Sequence, residues 1–123
     1  MNYLAIDFGT KRIGLAYSIN DIIFTLPMVE NNEKFFEKLS DIISENRIEK
    51  IYVGLCEGKI ADLTKAFVSH LSTMVKLPIE TVEESLSTIE ANSIFQKNKK
   101  NTKAYRKEID SIAAAVILNR VIG

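Results

Sequence analysis

Asp7, Glu83, Glu84 and Asp110 are the side chains of this sequence best suited to chemistry, and they lie far apart along the chain. Asp7 closes the apolar run Tyr3 to Ile6, and Glu83 with Glu84 closes the run IETV. Carboxylates that end strands and meet at one sheet edge repel each other unless a cation sits between them. A pair of Mg²⁺ or Mn²⁺ ions about 3.5–4 Å apart on such oxygen ligands activates a water and stabilises the leaving oxygen of a phosphodiester. The pattern therefore points to hydrolytic nuclease chemistry. Softer metals are disfavoured, because His70 is the only histidine and Cys56 the only thiol. Each carboxylate also has a plainer reading. Asp7 could cap a turn through its side chain, and Asp110 near the start of a helix could simply favour the helix dipole. Glu57 is either a fourth ligand or a solvated loop charge.

The elements that must position these groups follow from periodicity. Tyr3 to Ile6 is apolar without alternation, as in a central strand buried on both faces, and KRIGLAYS reads as a second strand folding straight back. Gly9 between them leaves the backbone free to take a positive φ, so that a tight turn can form and a phosphate or metal can approach without meeting a Cβ. DIIFTLPMV is a third extended segment, ended by Pro27 and polar residues. From Glu33 to Arg47, Phe35, Phe36, Leu39, Ile42 and Ile43 recur at helical spacing. KIYVGL is a buried strand, parallel to the first after a helical crossover. Ile60, Leu63, Phe67, Leu71 and Met74 define a second helical stripe, and Pro78 introduces the strand IETV. Ser87 and Glu90 form a capping box for a helix to about Gln96. A last helix, from roughly Ala104, carries Ile109, Ile112, Ala113, Val116 and Ile117 on one face, with Asp110 near its start.

The expected fold class is thus α/β: a five-stranded mixed sheet, its first three strands antiparallel, with helices on both faces. Ligands of such sheets bind beyond the carboxyl ends of the parallel strands, where Asp7 and the Glu83–Glu84 pair fall.

At 123 residues the chain suits one domain, taken as 1–123. Sixteen basic residues balance sixteen acidic ones, so any attraction to nucleic acid must come from uneven placement of charge. One cysteine excludes an internal disulfide, no signal peptide is legible, and no apolar run could span a bilayer, so a cytoplasmic protein is expected.

The runs IDFGTKRIGLAYS, IYVGL followed by Gly58, VEESLSTIEA and IDSIAAAVIL resemble, in order, the successive motifs of the YqgF/RuvX family. The resemblance covers essentially the whole chain. That family belongs to the RNase H-like superfamily, includes Holliday junction resolvases, and is implicated in 5′-end maturation of pre-16S ribosomal RNA. It implies metal binding by Asp7, by the acid of the strand-end motif and by Asp110. The family's middle motif commonly reads DERLTT, which aligns Glu83 with its Asp, Glu84 with its Glu and Ser85 with its Arg. Glu84 is then the preferred ligand, and Ser85 removes a cationic donor. Cys56 replaces the family's usual Pro.

Lys11 and Arg12 lie on the turn side of the first hairpin, and Lys97, Lys99, Lys100, Lys103, Arg106 and Lys107 precede Asp110. Such a cluster beside an acidic site suits a track for a phosphate backbone. The reading is a metal-dependent nuclease acting on structured nucleic acid, with ribosomal precursor RNA favoured and branched DNA as the alternative, so that precursor particles are expected partners. Oligomeric state is not legible. Two other classes compete. DFGTKRIG also resembles the phosphate hairpin of actin-like and hexokinase-like ATPases, and the loss of Arg at Ser85 suits a binding module without catalysis.

Overall fold

A computed structural model describes residues 1–55, 58–83 and 102–122, and within the last segment the side chains from 112 onward. The chain opens with β1 (Tyr3–Asp7) and β2 (Arg12–Ile19), paired antiparallel so that Asp7 faces Gly14 and Tyr3 faces Ser18. A two-residue turn, Asn20 and Asp21, both at positive φ, carries the chain into β3 (Ile22–Thr25). Short polar side chains tolerate that left-handed backbone, and its twist matches the flanking strands.

The third extended segment is two strands rather than one. β3 pairs with the far half of β2, and β4 (Val29–Glu30) pairs with Arg12 and Ile13. The break falls at Leu26, Pro27 and Met28. Proline has no N–H for a ladder, so the strand is interrupted there and resumes beyond it. Among the described residues the sheet therefore has six strands rather than five, in the order β3-β2-β1-β5-β6 with β4 beside β2.

Helix α1 (Phe35–Glu45) follows, and Arg47, at φ 50°, ends its last turn in the left-handed conformation. β5 (Lys50–Leu55) then lies parallel to β1, with Val53 beside Ile6. α2 (Lys59–Met74) crosses to β6 (Ile79–Glu83), which is parallel to β5 with Glu83 beside Leu55. The last helix, α3 (Thr102–Ile122), lies across β2, β1, β3 and β5.

Two cores result, one on each face of the sheet. Leu4, Ile6, Ile13, Leu15, Ile51 and Val53 pack against Phe35 and Leu39 of α1 and Phe67 and Leu71 of α2. Ala5, Ala16 and Tyr52 pack on the other face against Ala114, Ala115, Ile117 and Leu118 of α3. The alternation is that of a strand pleat. Small alanines in both the sheet and α3 let the helix approach closely, while large side chains fill the opposite layer.

α2 turns a different face inward from the one its apolar spacing suggests. Leu63 and Met74 are 49% and 56% exposed, and Thr64 is buried, its hydroxyl donating to the Ile60 carbonyl at 2.8 Å. That back-bond satisfies the hydroxyl inside the helix, so Thr64 can sit against the sheet beside Phe67 and Leu71. On α3, Ala114, Ala115 and Leu118 join the buried set while Ala113 is only half-buried. Asp110 stands eight residues into this helix, too far from its first turn for the dipole to favour it. No helix among the described residues is long and apolar enough to cross a membrane. The helix expected from Ser87 to Gln96 lies outside the described residues.

Candidate active site

The site begins where β1 runs out. Asp7 alternates with two side chains of the α1–α2 core, Ile6 and Phe8, and shares its side of the pleat with Ala5 of the α3 core. Phe8 is anchored on its own side by the Phe67 ring, centroids 4.8 Å apart. One residue of the turn is therefore fixed in a core so that its neighbour can stand at the lip of the other face.

The loop Phe8 to Lys11 closes tightly. A Cβ on Gly9 would collide with the Arg12 carbonyl oxygen, a main-chain atom that cannot swing aside. Gly9 is required here for that close approach. The freedom to take a positive φ is not used: among the described glycines only Gly58, at 87°, has one. Asn31 holds the loop from outside. Its amide Nδ2 donates to the Gly9 carbonyl at 2.9 Å and its main-chain N–H donates to the Lys11 carbonyl at 2.9 Å. Beside it, Asn32 Nδ2 donates to the Glu30 carboxylate at 3.2 Å, and Asn32 Oδ1 accepts the Lys34 N–H at 3.0 Å, turning the chain into α1.

Lys11 and Arg12 are both exposed. Arg12 alternates with Ile13 and shares its side of the pleat with Gly14 and Ala16, so it belongs to the α3 side of the sheet, the side of Asp7. A guanidinium and a carboxylate thus border the same rim.

Glu83 is placed differently. It ends β6, two strands from β1, which puts the two main chains about 10 Å apart. Val82 packs on the α3 core and Ile79 on the α1–α2 core, so Glu83 follows Ile79 and projects away from the side of Asp7. Its main-chain carbonyl accepts a hydrogen bond from Arg120 Nη1 at 2.6 Å, which ties the end of β6 to α3. The pleat thus assigns the Asp7 and Glu83 side chains to opposite sides of the sheet.

Glu84, Ser85, Cys56, Glu57, Lys97, Lys99 and Lys100 lie outside the described residues. Asp110, Lys103, Arg106 and Lys107 stand on the backbone of α3, their side chains outside what is described. Among the described residues no three His, Cys, Asp or Glu side chains form a metal-binding group. His70 sits exposed on α2 with its ring edge-on to Phe36 at 4.9 Å, remote in role from any ligand set. Sequence reasoning missed Asn31 and Phe8. The signal for Phe8 is a large apolar side chain directly after the strand-ending acid, two residues on from Ile6, whereas nothing in the spacing of Asn31 marks it.

The same architecture recurs in solved structures of enzymes that act on branched DNA. Thermus thermophilus RuvC in complex with a Holliday junction substrate superposes with a TM-score of 0.64 at 12% identity, covering 100% of this chain and 96% of that one. Fowlpox virus resolvase, solved with Holliday junction DNA, gives a TM-score of 0.60 at 9% identity, over 100% of both chains. The fold is accordingly the RNase H-like α/β fold of the RuvC-type resolvases.

Sequence relatives narrow this class. A protein of Sulfurihydrogenibium sp. named "Putative pre-16S rRNA nuclease" is 36% identical over 94% of this chain and 85% of its own length. A protein of Maridesulfovibrio salexigens with the same name is 36% identical over 96% of this chain and 95% of its own length. The chain belongs to the RuvX family, described as Holliday junction resolvase, which matches residues 1–123.

Proposed function

We propose that the chain, as one RNase H-like domain spanning 1–123, is a divalent-metal-dependent nuclease that hydrolyses phosphodiester bonds of structured nucleic acid and processes the 5′ end of pre-16S ribosomal RNA. The observation that carries the reading is Asp7 at the carboxyl end of the central parallel strand, on the same side of the sheet as Arg12 and α3. Membership of the RuvX family and the names of its relatives support the reaction class and the RNA. Such a substrate and a lone thiol suit the cytoplasm.

Asp7, Glu84 and Asp110 are the assigned ligands for Mg²⁺ or Mn²⁺, and a set of carboxylate oxygens fits these hard ions. Bound there, the ions supply an activated water and charge stabilisation for the leaving oxygen. Asp110 precedes Ala114 and Ile117 by four and seven residues, the spacing of one helical face, and those two residues pack on the sheet. Lys103, Arg106 and Lys107 share that spacing with Asp110, which supports a cationic path leading to the carboxylates. Lys11 and Arg12, with Lys97, Lys99 and Lys100, extend it toward the phosphate backbone. Of the adjacent acids, Glu84 is preferred to Glu83 because Glu83 belongs to the opposite side of the sheet from Asp7.

The description of the family favours a second reading, cleavage of a four-way DNA junction. That activity calls for two sites related by a two-fold axis, one for each strand cut. A cleavage assay in Mg²⁺ and in Mn²⁺ with precursor rRNA, single-stranded RNA and a four-way junction separates the readings. Asp7→Asn, Asp110→Asn and Glu84→Gln should each slow cleavage by at least about 10²-fold without loss of binding, and Glu83→Gln by far less. Wild-type rates in Asp7→Asn or Asp110→Asn would remove the metal assignment. Binding without cleavage in either metal would leave a nucleic-acid-binding module, and tight Mg²⁺-dependent ATP affinity would favour phosphotransfer.

A further inference from the structure

The side chain and main chain of Asn31 hold two carbonyls of one loop, and neither bond serves a core. β4 ends at Glu30, opposite Arg12. Asn31 carries the ladder one step further through its N–H to the Lys11 carbonyl, and its side-chain amide reaches the Gly9 carbonyl, each at 2.9 Å. Thr10 is thus bracketed on both sides. The Phe8 ring fixes the start of the loop on Phe67, and the Gly9 backbone abuts Arg12. Thr10 and the side chains of Lys11 and Arg12 are left facing solvent, all exposed.

We infer that Asn31 is a positioning residue that presents Lys11 and Arg12 to the nucleic-acid backbone beside Asp7. The inference rests on the reading of those two cations as phosphate partners. A loop ordered before binding carries its cations into the complex without a further ordering cost, and a loop released from its outer clamp does not. Asparagine suits the task because the task needs a donor. The Gly9 carbonyl can only accept, so a carboxylate of the same size could not replace the amide. The main-chain bond to Lys11 survives substitution by alanine or glutamine, which isolates the side-chain bond to Gly9 as the part those variants change.

The test measures binding of a precursor rRNA fragment by fluorescence anisotropy in Ca²⁺, from 50 to 200 mM salt, for wild type, Lys11→Ala, Asn31→Ala, Asn31→Gln and the Lys11→Ala/Asn31→Ala double variant. Every phosphate that a cation ceases to neutralise lowers the slope of log K against log salt by about 0.7 to 0.9. Lys11→Ala should lower the slope by about the value of one phosphate, Asn31→Ala by about that of one to two because it releases Lys11 and Arg12 together, and the double variant by no more than Asn31→Ala alone. Asn31→Gln, which keeps an amide donor, should recover part of the effect. A merely structural role would lower the melting temperature and leave the salt slope unchanged. A wild-type slope in Asn31→Ala, or effects that add in the double variant, overturns the inference while the functional reading stands. A wild type that does not bind the RNA, or whose slope is unaffected by Lys11→Ala, overturns the phosphate reading and this inference with it.

Discussion

Replacing Gly9 by alanine tests whether the hairpin's geometry matters as described. The added methyl would meet the Arg12 carbonyl oxygen, so the loop must open by something on the order of 1 Å. Overpacking of this kind costs about 1–3 kcal/mol. The same movement stretches the 2.9 Å bond from Asn31 to the Gly9 carbonyl beyond hydrogen-bonding distance, which costs about a further 1 kcal/mol. Loss of stability should therefore be about 2–4 kcal/mol, or a fall in melting temperature of roughly 8–15 °C for a chain of this size. A displacement of that size beside the reacting groups should also slow cleavage about 10²-fold in molecules that remain folded. Leu39→Ala, in the α1–α2 core, provides the comparison. It should cost about 2–5 kcal/mol and leave the rate per folded molecule near that of wild type. Thermal unfolding by circular dichroism and single-turnover cleavage at 20 °C give the two readouts. Wild-type melting and cleavage in Gly9→Ala would refute the requirement for a bare Cα at this position. A melting shift without a rate effect would show that the loop is merely structural.

Two further expectations follow from the packing. Leu71→Ala should cost about 2–5 kcal/mol because its side chain is fully buried, whereas Leu63→Ser on the exposed flank of α2 should change stability by less than about 0.5 kcal/mol; urea unfolding of the two variants decides it. The Glu80 carboxylate, 2.8 Å from Lys50, together with Tyr52, raises the Lys50 ammonium above its ordinary 10.5. A cation whose folded pKa is raised stabilises fully below its unfolded value and ceases to do so as pH rises through the folded one. The melting difference between wild type and Lys50→Met should thus be the same at pH 7 and pH 9 and shrink only above the ordinary lysine range, and a difference that changes between pH 7 and 9 would contradict it.

Strands and helices were legible wherever one physical signal dominated. β1, β5 and β6 are short β-branched or apolar runs, and α1 repeats its large side chains at helical spacing. α2 was located correctly and rotated wrongly, because Leu63 and Met74 complete an apolar stripe as well as Thr64 interrupts one. Periodicity weighs residue types and cannot see that a threonine may satisfy its hydroxyl on the preceding turn. The split at Pro27 was present as a proline, but β2 is long enough to pair both halves, and a partner's length is not a local property. At the site, the place of Asp7 followed from its strand. The side of the sheet on which Glu83 falls did not, since two adjacent acids at a strand end differ only by the phase of the pleat, which burial of Val82 and Ile79 reveals. Asn31 was invisible because its partners are carbonyls twenty or more residues away, carried by every residue alike.

The two layers of core draw on different stretches of the chain, and this bears on when the protein can act. Every buried residue of the α1–α2 layer lies between Leu4 and Leu71, whereas the opposite layer needs Ala114 to Leu118. During synthesis the first layer can consolidate while the last helix is still being made, and domains gain structure from the N-terminal side as the chain emerges. Asp7 would then stand at a finished rim from an early stage, without the carboxylate of α3. On the proposed assignment of Asp110, the carboxylate set would stay incomplete until the last helix has been made and has docked on the sheet, so that folding order itself would delay the onset of cleavage.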